Sequence, residues 1–244
     1  MLFSLNKPGL VAALLLGGCS ATPASTPPSS ADAVVMVGSA AAGACPIMPD
    51  ARPYAFGLDP TELSSFESQA KTNVVFVAAE GCGLRVLPTC YDAASRGKPG
   101  VYRPILRTSA NRSRMDIRTT GELYAKLPVG GPALLMRLEA GESLHADYLV
   151  VGMREAEYGQ QYRDDLSTVP GCAGATHFVY AYAAGAFALH ASGHRDALRR
   201  GGDLEACDAQ GADASRCESP VRLYLRPIVD GHRPPQATLD VAAK

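Results

Sequence analysis

Asp59-Pro60-Thr61-Glu62 is followed by Leu63, Phe66 and Ala70, which share one face at helical spacing. Asp59 suits a cap and Pro60 the first helical position, and Glu62 would complete a capping box. A helix is therefore predicted from Pro60, stopping near Asn73. The pattern then changes. Val74-Val75-Phe76-Val77-Ala78-Ala79 is unbroken and apolar, which predicts a strand buried on both faces. Glu80-Gly81-Cys82-Gly83 turns the chain, Leu84-Arg85-Val86-Leu87 reads as the partner strand, and Pro88 ends it. Further strands are predicted at 102–107, 113–118, 133–138, 144–153, 176–182, 186–190 and 221–226. Leu134, Met136 and Leu138, followed by Leu144, Ala146, Tyr148 and Val150, alternate as a half-buried hairpin would. Short strands with one clear helix indicate the α+β class, mostly antiparallel. A sandwich-like sheet with that helix packed on it is the expected architecture.

The start of the chain follows another rule. Lys7 precedes the apolar run Leu10-Val11-Ala12-Ala13-Leu14-Leu15-Leu16. The run falls short of the roughly 20 residues a membrane span needs, and it suits a secretory signal. Leu16-Gly17-Gly18-Cys19 closes it: an aliphatic residue, two small ones and a cysteine. This string resembles the lipobox of bacterial lipoproteins. The resemblance implies cleavage before Cys19, diacylglycerol on its thiol and acylation of the new amino group. Ser20 follows, which by the sorting rule of many Gram-negative lipoproteins implies the outer membrane, on its periplasmic or surface side. Residues 20–44 are mainly Ala, Ser, Thr, Pro and Gly and read as a flexible tether. The patch Val34-Val35-Met36-Val37 would alternatively suit a first strand. The expected organisation is a signal peptide over 1–18, lipidated cysteine and tether over 19–44, one globular domain over 45–232 and a disordered tail over 233–244.

Composition adds two constraints. Twenty-three basic residues face 24 acidic ones, so charge gives no reason to expect nucleic acid as a partner. Of seven cysteines, six remain beside Cys19: Cys45, Cys82, Cys90, Cys172, Cys207 and Cys217. An even number in an exported chain predicts disulfides. Cys207 and Cys217 bracket a polar loop with little to pack, so they are the first expected pair. Cys82–Cys90 is the second, and Cys45–Cys172 follows by elimination.

Several strings resemble a group of uncharacterised lipoproteins and cell-envelope proteins of myxobacteria and their relatives. They are Gly83-Leu84-Arg85-Val86-Leu87 with Cys90, Gly121-Glu122-Leu123 with Leu127-Pro128, Tyr148-Leu149-Val150-Val151-Gly152, and Cys172-Ala173-Gly174-Ala175-Thr176-His177-Phe178-Val179 with Gly185-Ala186-Phe187. They run in order from about residue 60 to 230. The resemblance implies a shared envelope domain and brings no catalytic residue with it.

The remaining candidates are local. Cys172 near His177 invites a thiol-protease reading, but a cysteine in an oxidising space reads as a disulfide partner. His177 opens an apolar strand and reads as a packed histidine at its edge. His190 and His194 have the spacing of a helical metal pair, but Ser192-Gly193 between them opposes a helix. His145 or Asp147 could complete such a site only through the fold. No G-x-S-x-G, G-x-G-x-x-G, P-loop or C-x-x-C occurs in the chain. Between Arg96 and Arg118 lie seven basic residues and a single acid, Asp116. Arg112, Arg114 and Arg118 share parity, so a strand would show them on one face. That face would dock an anionic partner such as a polysaccharide, a lipid headgroup or an acidic envelope protein. Alternatively the stretch is a solvated hairpin balanced by the acids between Glu139 and Asp165, among them Asp147, Glu155 and Glu157. The expected function is a membrane-anchored envelope lipoprotein with a non-enzymatic binding or assembly domain and no cofactor or metal. The rival is a secreted hydrolase or metal-dependent enzyme using His177, His190 and His194.

Overall fold

The computed structural model describes residues 51–81, 83–107, 112–127, 132–208 and 217–234. The signal, Cys19, the tether with its apolar patch, Cys45, Cys82 and the chain after 234 lie outside them. Eight strands appear in the described chain: β1 (Phe76–Glu80), β2 (Gly83–Val86), β3 (Tyr102–Arg107), β4 (Ser113–Ile117), β5 (Leu144–Ala156), β6 (His177–Ala191), β7 (Arg199–Gly201) and β8 (Ser219–Pro227). The helices are α1 (Pro60–Gln69), α2 (Thr120–Lys126), α3 (Pro132–Glu139), α4 (Arg163–Leu166) and α5 (Leu204–Asp208), with 3-10 turns at Ala55–Gly57 and Pro170–Cys172. The expected class holds: α+β, mostly antiparallel and disulfide-braced. Among the described residues no helix is long and apolar enough to cross a membrane.

All eight strands belong to one sheet, built around β5 and β6. These two pair antiparallel from Leu144↔Ala191 to Glu155↔Ala181, with a bulge between Val150 and Gly152. On β5's other side sit β3, along 152–156, and β4, along 144–148. β6 carries β8 and β7 on its far side and meets β1 at Phe178 and His177. The sequence reading split β6 into two strands. It is continuous because Ala183-Ala184-Gly185 stays in the ladder. A Cβ on Gly185 would lie 2.0 Å from the Leu149 carbonyl oxygen, so only glycine permits the approach at the bulge.

The main core lies under Phe56, Leu63, Phe66, Leu123, Leu134 and Leu138 from the turns and helices, and Val77, Ile117, Leu144, Phe187 and Leu189 from the sheet. Asp59 caps α1, its carboxylate accepting the Thr61 N–H at 2.9 Å. Glu62 does not close the expected capping box. Its carboxylate accepts the Val86 N–H at 2.5 Å instead, which docks the helix on the edge strand β2 and satisfies a donor there. The strand predicted over 133–138 is helix α3. Leu134 and Leu138 are one turn apart and buried, while Met136 between them is 62% exposed. The segment Ala133-Leu134-Leu135-Met136 holds good helix formers and no β-branched residue, and that composition decides against the alternation. Helix α2 escaped the sequence reading although it carries a cap: Thr119 accepts the Glu122 N–H at 3.2 Å, and Glu122 accepts the Arg118 N–H at 2.6 Å.

Two disulfides form among the described residues. Cys207–Cys217 forms as expected and closes 10 residues. The second disulfide is Cys90–Cys172, spanning 82 residues, so Cys90 pairs neither with Cys82 nor leaves Cys172 for Cys45. The cause is non-local. β1 pairs with the start of β6, and this brings the chain after β2 against the 3-10 turn that precedes β6; Gly171 sits so close that a Cβ would be 2.4 Å from the Thr89 carbonyl. Tyr102, 3% exposed, ties the same region from β3. Its hydroxyl accepts the Val75 N–H at 3.0 Å and donates to the Val179 carbonyl at 2.7 Å. Burial pushes its ionisation far above the ordinary tyrosine range. Arg233, expected in a disordered tail, is instead fastened: it donates to Asp92 at 3.1 Å and to Gln161 at 3.3 Å.

Two outcomes are expected. Non-reducing peptide mapping of the exported protein yields a Cys90–Cys172 peptide, and a Cys82–Cys90 peptide in its place contradicts the fold around β1. Tyr102→Phe leaves the Val75 N–H and the Val179 carbonyl buried without their partner, at a cost of about 1–3 kcal/mol. Denaturant melts of the variant with unchanged m-value and unchanged midpoint would show that this bridge contributes nothing.

Candidate functional site: a histidine and arginine face

Strand alternation sorts β5 into two sets. Leu144 and Ala146 point into the main core; His145 and Asp147 point the other way. Register then gathers their neighbours. Asp116 of β4, His145 and His190 of β6 form one cross-strand row. Arg114 of β4, Asp147, Ala188 of β6 and Arg200 of β7 form the next. Arg199, one residue earlier, points into the protein: the residue is 7% exposed and its guanidinium donates to the Phe56 carbonyl at 2.9 Å. Beyond these rows the same face turns apolar. Leu149 and Ala186 lie there under α5 and the Cys207–Cys217 disulfide, with Leu204 and Val151 packed alongside.

The imidazoles of His145 and His190 stack, with centroids 5.1 Å apart and planes within 8°. Partial burial lowers the His190 pKa from its ordinary value, and His145, Arg200 and Arg114 lower it further, against the opposing pull of Asp147. Arg114 approaches Asp116 at 3.8 Å and Asp147 at 3.9 Å, both through Nε, and Arg112 reaches Asp147 at 4.0 Å. These are long, half-exposed contacts, of the kind worth little in water.

Arg112, Arg114 and Arg118 are all exposed, flanking or lying on β4. Part of the basic stretch is balanced by the acidic one, through Asp147 and through Arg103–Glu157 at 2.9 Å. His177, His190 and His194 do not meet. His177 and His190 stand on one strand, 13 residues or roughly 40 Å apart at about 3.3 Å per residue. His177 is half-buried beside the Thr176 hydroxyl at 3.0 Å. His194 faces Arg137 at 3.5 Å and Glu142 at 3.8 Å. No group of three His, Cys, Asp or Glu among the described residues is arranged to hold a metal ion. Arg200 was missed by the sequence reading. Its signal was faint, because β7 has only three residues and no alternation to read.

A concave feature lies elsewhere. Phe66, Ala70, Tyr182 and Pro220 form the apolar part of an open cleft of about 720 Å³, rimmed by Glu67, Lys71, Asp203 and Glu218. Burial pushes the Tyr182 hydroxyl up to about 12, so it is a donor at neutral pH. None of the candidate residues from the sequence lines this cleft.

No protein-family model matches the chain, and no curated protein and no solved structure matches it.

His177 generates a pH prediction. Burial lowers its folded-state pKa, while the unfolded chain titrates at about 6.5. The neutral form is favoured in the fold, so this contribution to stability is present above about 6.5 and is lost as pH falls through the folded value. Thermal melts between pH 7.5 and 5 should show falling stability, and His177→Gln should flatten that slope. An identical slope in the variant would assign the acid sensitivity to other groups.

Proposed function

We propose that the chain is an exported lipoprotein of the cell envelope, held at the outer membrane by lipid on Cys19, and that its folded part binds a partner without transforming it. The observation that carries this reading is the pairing of Cys90 with Cys172 and of Cys207 with Cys217 in a chain whose residues 7–19 resemble a secretory signal closed by a lipobox. Disulfides persist in oxidising compartments, which is where such a signal delivers a protein. Several acyl chains hold firmly, since each buried CH₂ is worth about 0.8 kcal/mol. Binding is favoured over hydrolysis because the histidines an enzyme would need have three separate sets of neighbours: a threonine, another histidine, and an Arg–Glu pair. A binding surface needs no convergence on a reacting atom; an active site does.

Metabolic labelling with a radioactive fatty acid tests the anchor. The parent should carry label and fractionate with membranes, and Cys19→Ser should lose the label and accumulate as an unprocessed or soluble form. Retention of the acyl label in the variant places the anchor elsewhere.

A further inference from the structure

The two rows on β4–β7 form an open face whose charged groups come from four strands and from residues as far apart as 114 and 200. Arg112, Arg114 and Arg200 are exposed there, against Asp116 and Asp147, and Arg118 is exposed just past the end of β4. We propose that this face, with Arg114, Arg200, His145 and His190 at its centre, docks an acidic polysaccharide of the envelope and binds it more tightly as His190 takes up a proton. The proposal rests on the reading of the chain as an envelope binding protein and names its ligand class and site.

Three features point to this occupant. First, the sign of the charge is positive, and it is held loosely. Both aspartate contacts of Arg114 go through Nε at 3.8 and 3.9 Å, not through the paired terminal donors that grip a carboxylate or sulfate in fork geometry. A ligand carboxylate gains those donors at little loss. Second, the arrangement is a line. Neighbouring strands are about 4.8 Å apart, so Arg114, Asp147, Ala188 and Arg200 succeed one another across the sheet. A polymer laid across the strands meets several charges, while a single small anion meets one. Ala188 leaves a low point in the row between Asp147 and Arg200. Third, the two rows contain no apolar side chain except Ala188. Membrane-surface binding draws on apolar groups buried below the headgroups, and the rows offer none, which favours a polysaccharide over a bilayer.

His190 supplies the pH response. The charged groups acting on His190 are His145 and Asp147 of β5, Arg114 of β4 and Arg200 of β7. Asp116 stands beside His145 in the same row, and α5, over the adjacent apolar patch, carries Glu205 and Asp208. With the face empty, burial and three positive or protonatable neighbours disfavour a proton on His190. A carboxylate polymer over the rows reverses that balance. By linkage, a ligand that favours protonation is itself favoured by protons. The sign is therefore tighter binding as pH falls.

The test uses the full lipidated protein in a neutral detergent, with immobilised alginate as the acidic probe, neutral dextran as control and phosphatidylglycerol vesicles as the competing source of negative charge. Alginate binding is expected at low salt, roughly tenfold tighter at pH 5.5 than at pH 7.5, the low end of couplings between two ligands. It should be lost in high salt, where screening shortens to about 3 Å at 1 M. R114Q/R200Q should weaken binding at both pH values. H145Q/H190Q should bring the ratio of affinities at pH 5.5 and pH 7.5 close to one, and a ratio as large as the parent's overturns the role of the histidines. A188E, which sets a carboxylate in the low point of the row, serves as a second probe of the same surface should the double arginine variant melt early. Binding that is unchanged in all three variants overturns the site. Binding to the vesicles with none to alginate overturns the polysaccharide. Acyl labelling at Cys19 is independent of these measurements, so the envelope reading and the ligand site fail separately.

Discussion

The β5–β6 ladder is the constraint on which the rest of the sheet depends. Every other strand except β2 pairs directly with one of these two. β5 holds β3 and β4 end to end on one side, and β6 holds β8 and β7 on the other. The ladder tolerates its bulge only because Gly185 lets the Leu149 carbonyl come close. Small residues at Ala181, Ala183, Ala184, Ala186 and Ala188 keep β6 slim on both faces. The neighbours then fill the space: Phe56 and Phe187 meet at 5.5 Å, and the Phe187 ring fills the space where a Gly201 side chain would begin. A long central strand made of alanine and glycine buries little by itself. Its role is to let larger side chains from other elements approach.

Such a ladder leaves its ends weak, and one crosslink sits where β6 begins. The Cys90–Cys172 bridge fixes the chain after β2 to the turn that feeds β6. Closing a loop of this length is worth on the order of 4–5 kcal/mol in the chain-entropy model. Tyr102 adds a polar bridge across the same junction, joining the approach to β1 with β6. Midway along the ladder, beside the bulge, the shorter disulfide and α5 lie over the small apolar patch of Leu149 and Ala186. Segment 51–54 covers the free edge of β8, with Leu223 and Leu225 donating to the Pro53 and Ala51 carbonyls, each at 2.9 Å. An uncovered edge there would invite pairing with another chain.

Local chemistry was legible in the sequence, and pairing was not. Helix α1 follows from Asp59-Pro60, and β1, β2, β4 and β5 follow from apolar runs and alternation. Helix α3 was misread because Leu134, Met136 and Leu138 alternate while Leu134 and Leu138 also stand one turn apart; over six residues both periods fit. Helix α2 was readable in Thr119-x-x-Glu122 and was passed over. Glu62 shows the limit from the other direction. Its spacing satisfies a capping box, yet a strand 24 residues later offers a donor the spacing cannot see. The Cys90–Cys172 pair has the same origin, since it is set by β1 meeting β6. Of the candidate face, the outward arginines near β4 were legible from parity; the stacked histidines and Arg200 depend on register between strands far apart in sequence.

That register links folding to the face. Along β5, Leu144 and Ala146 go into the core as His145 and Asp147 go out. A slip of one residue against β6 would invert both sets. It would bury an imidazole and a carboxylate without partners, and an isolated buried carboxylate costs far more than a lost apolar contact returns. The charged side chains therefore act as a penalty on wrong registers, while the apolar set rewards the right one. The same penalty selects the register that stacks His145 on His190 and sets Arg114 and Arg200 on one line. The face needs no separate device to assemble it. Once the core accepts Leu144 and Leu189, the outward residues of four strands have no other place to go.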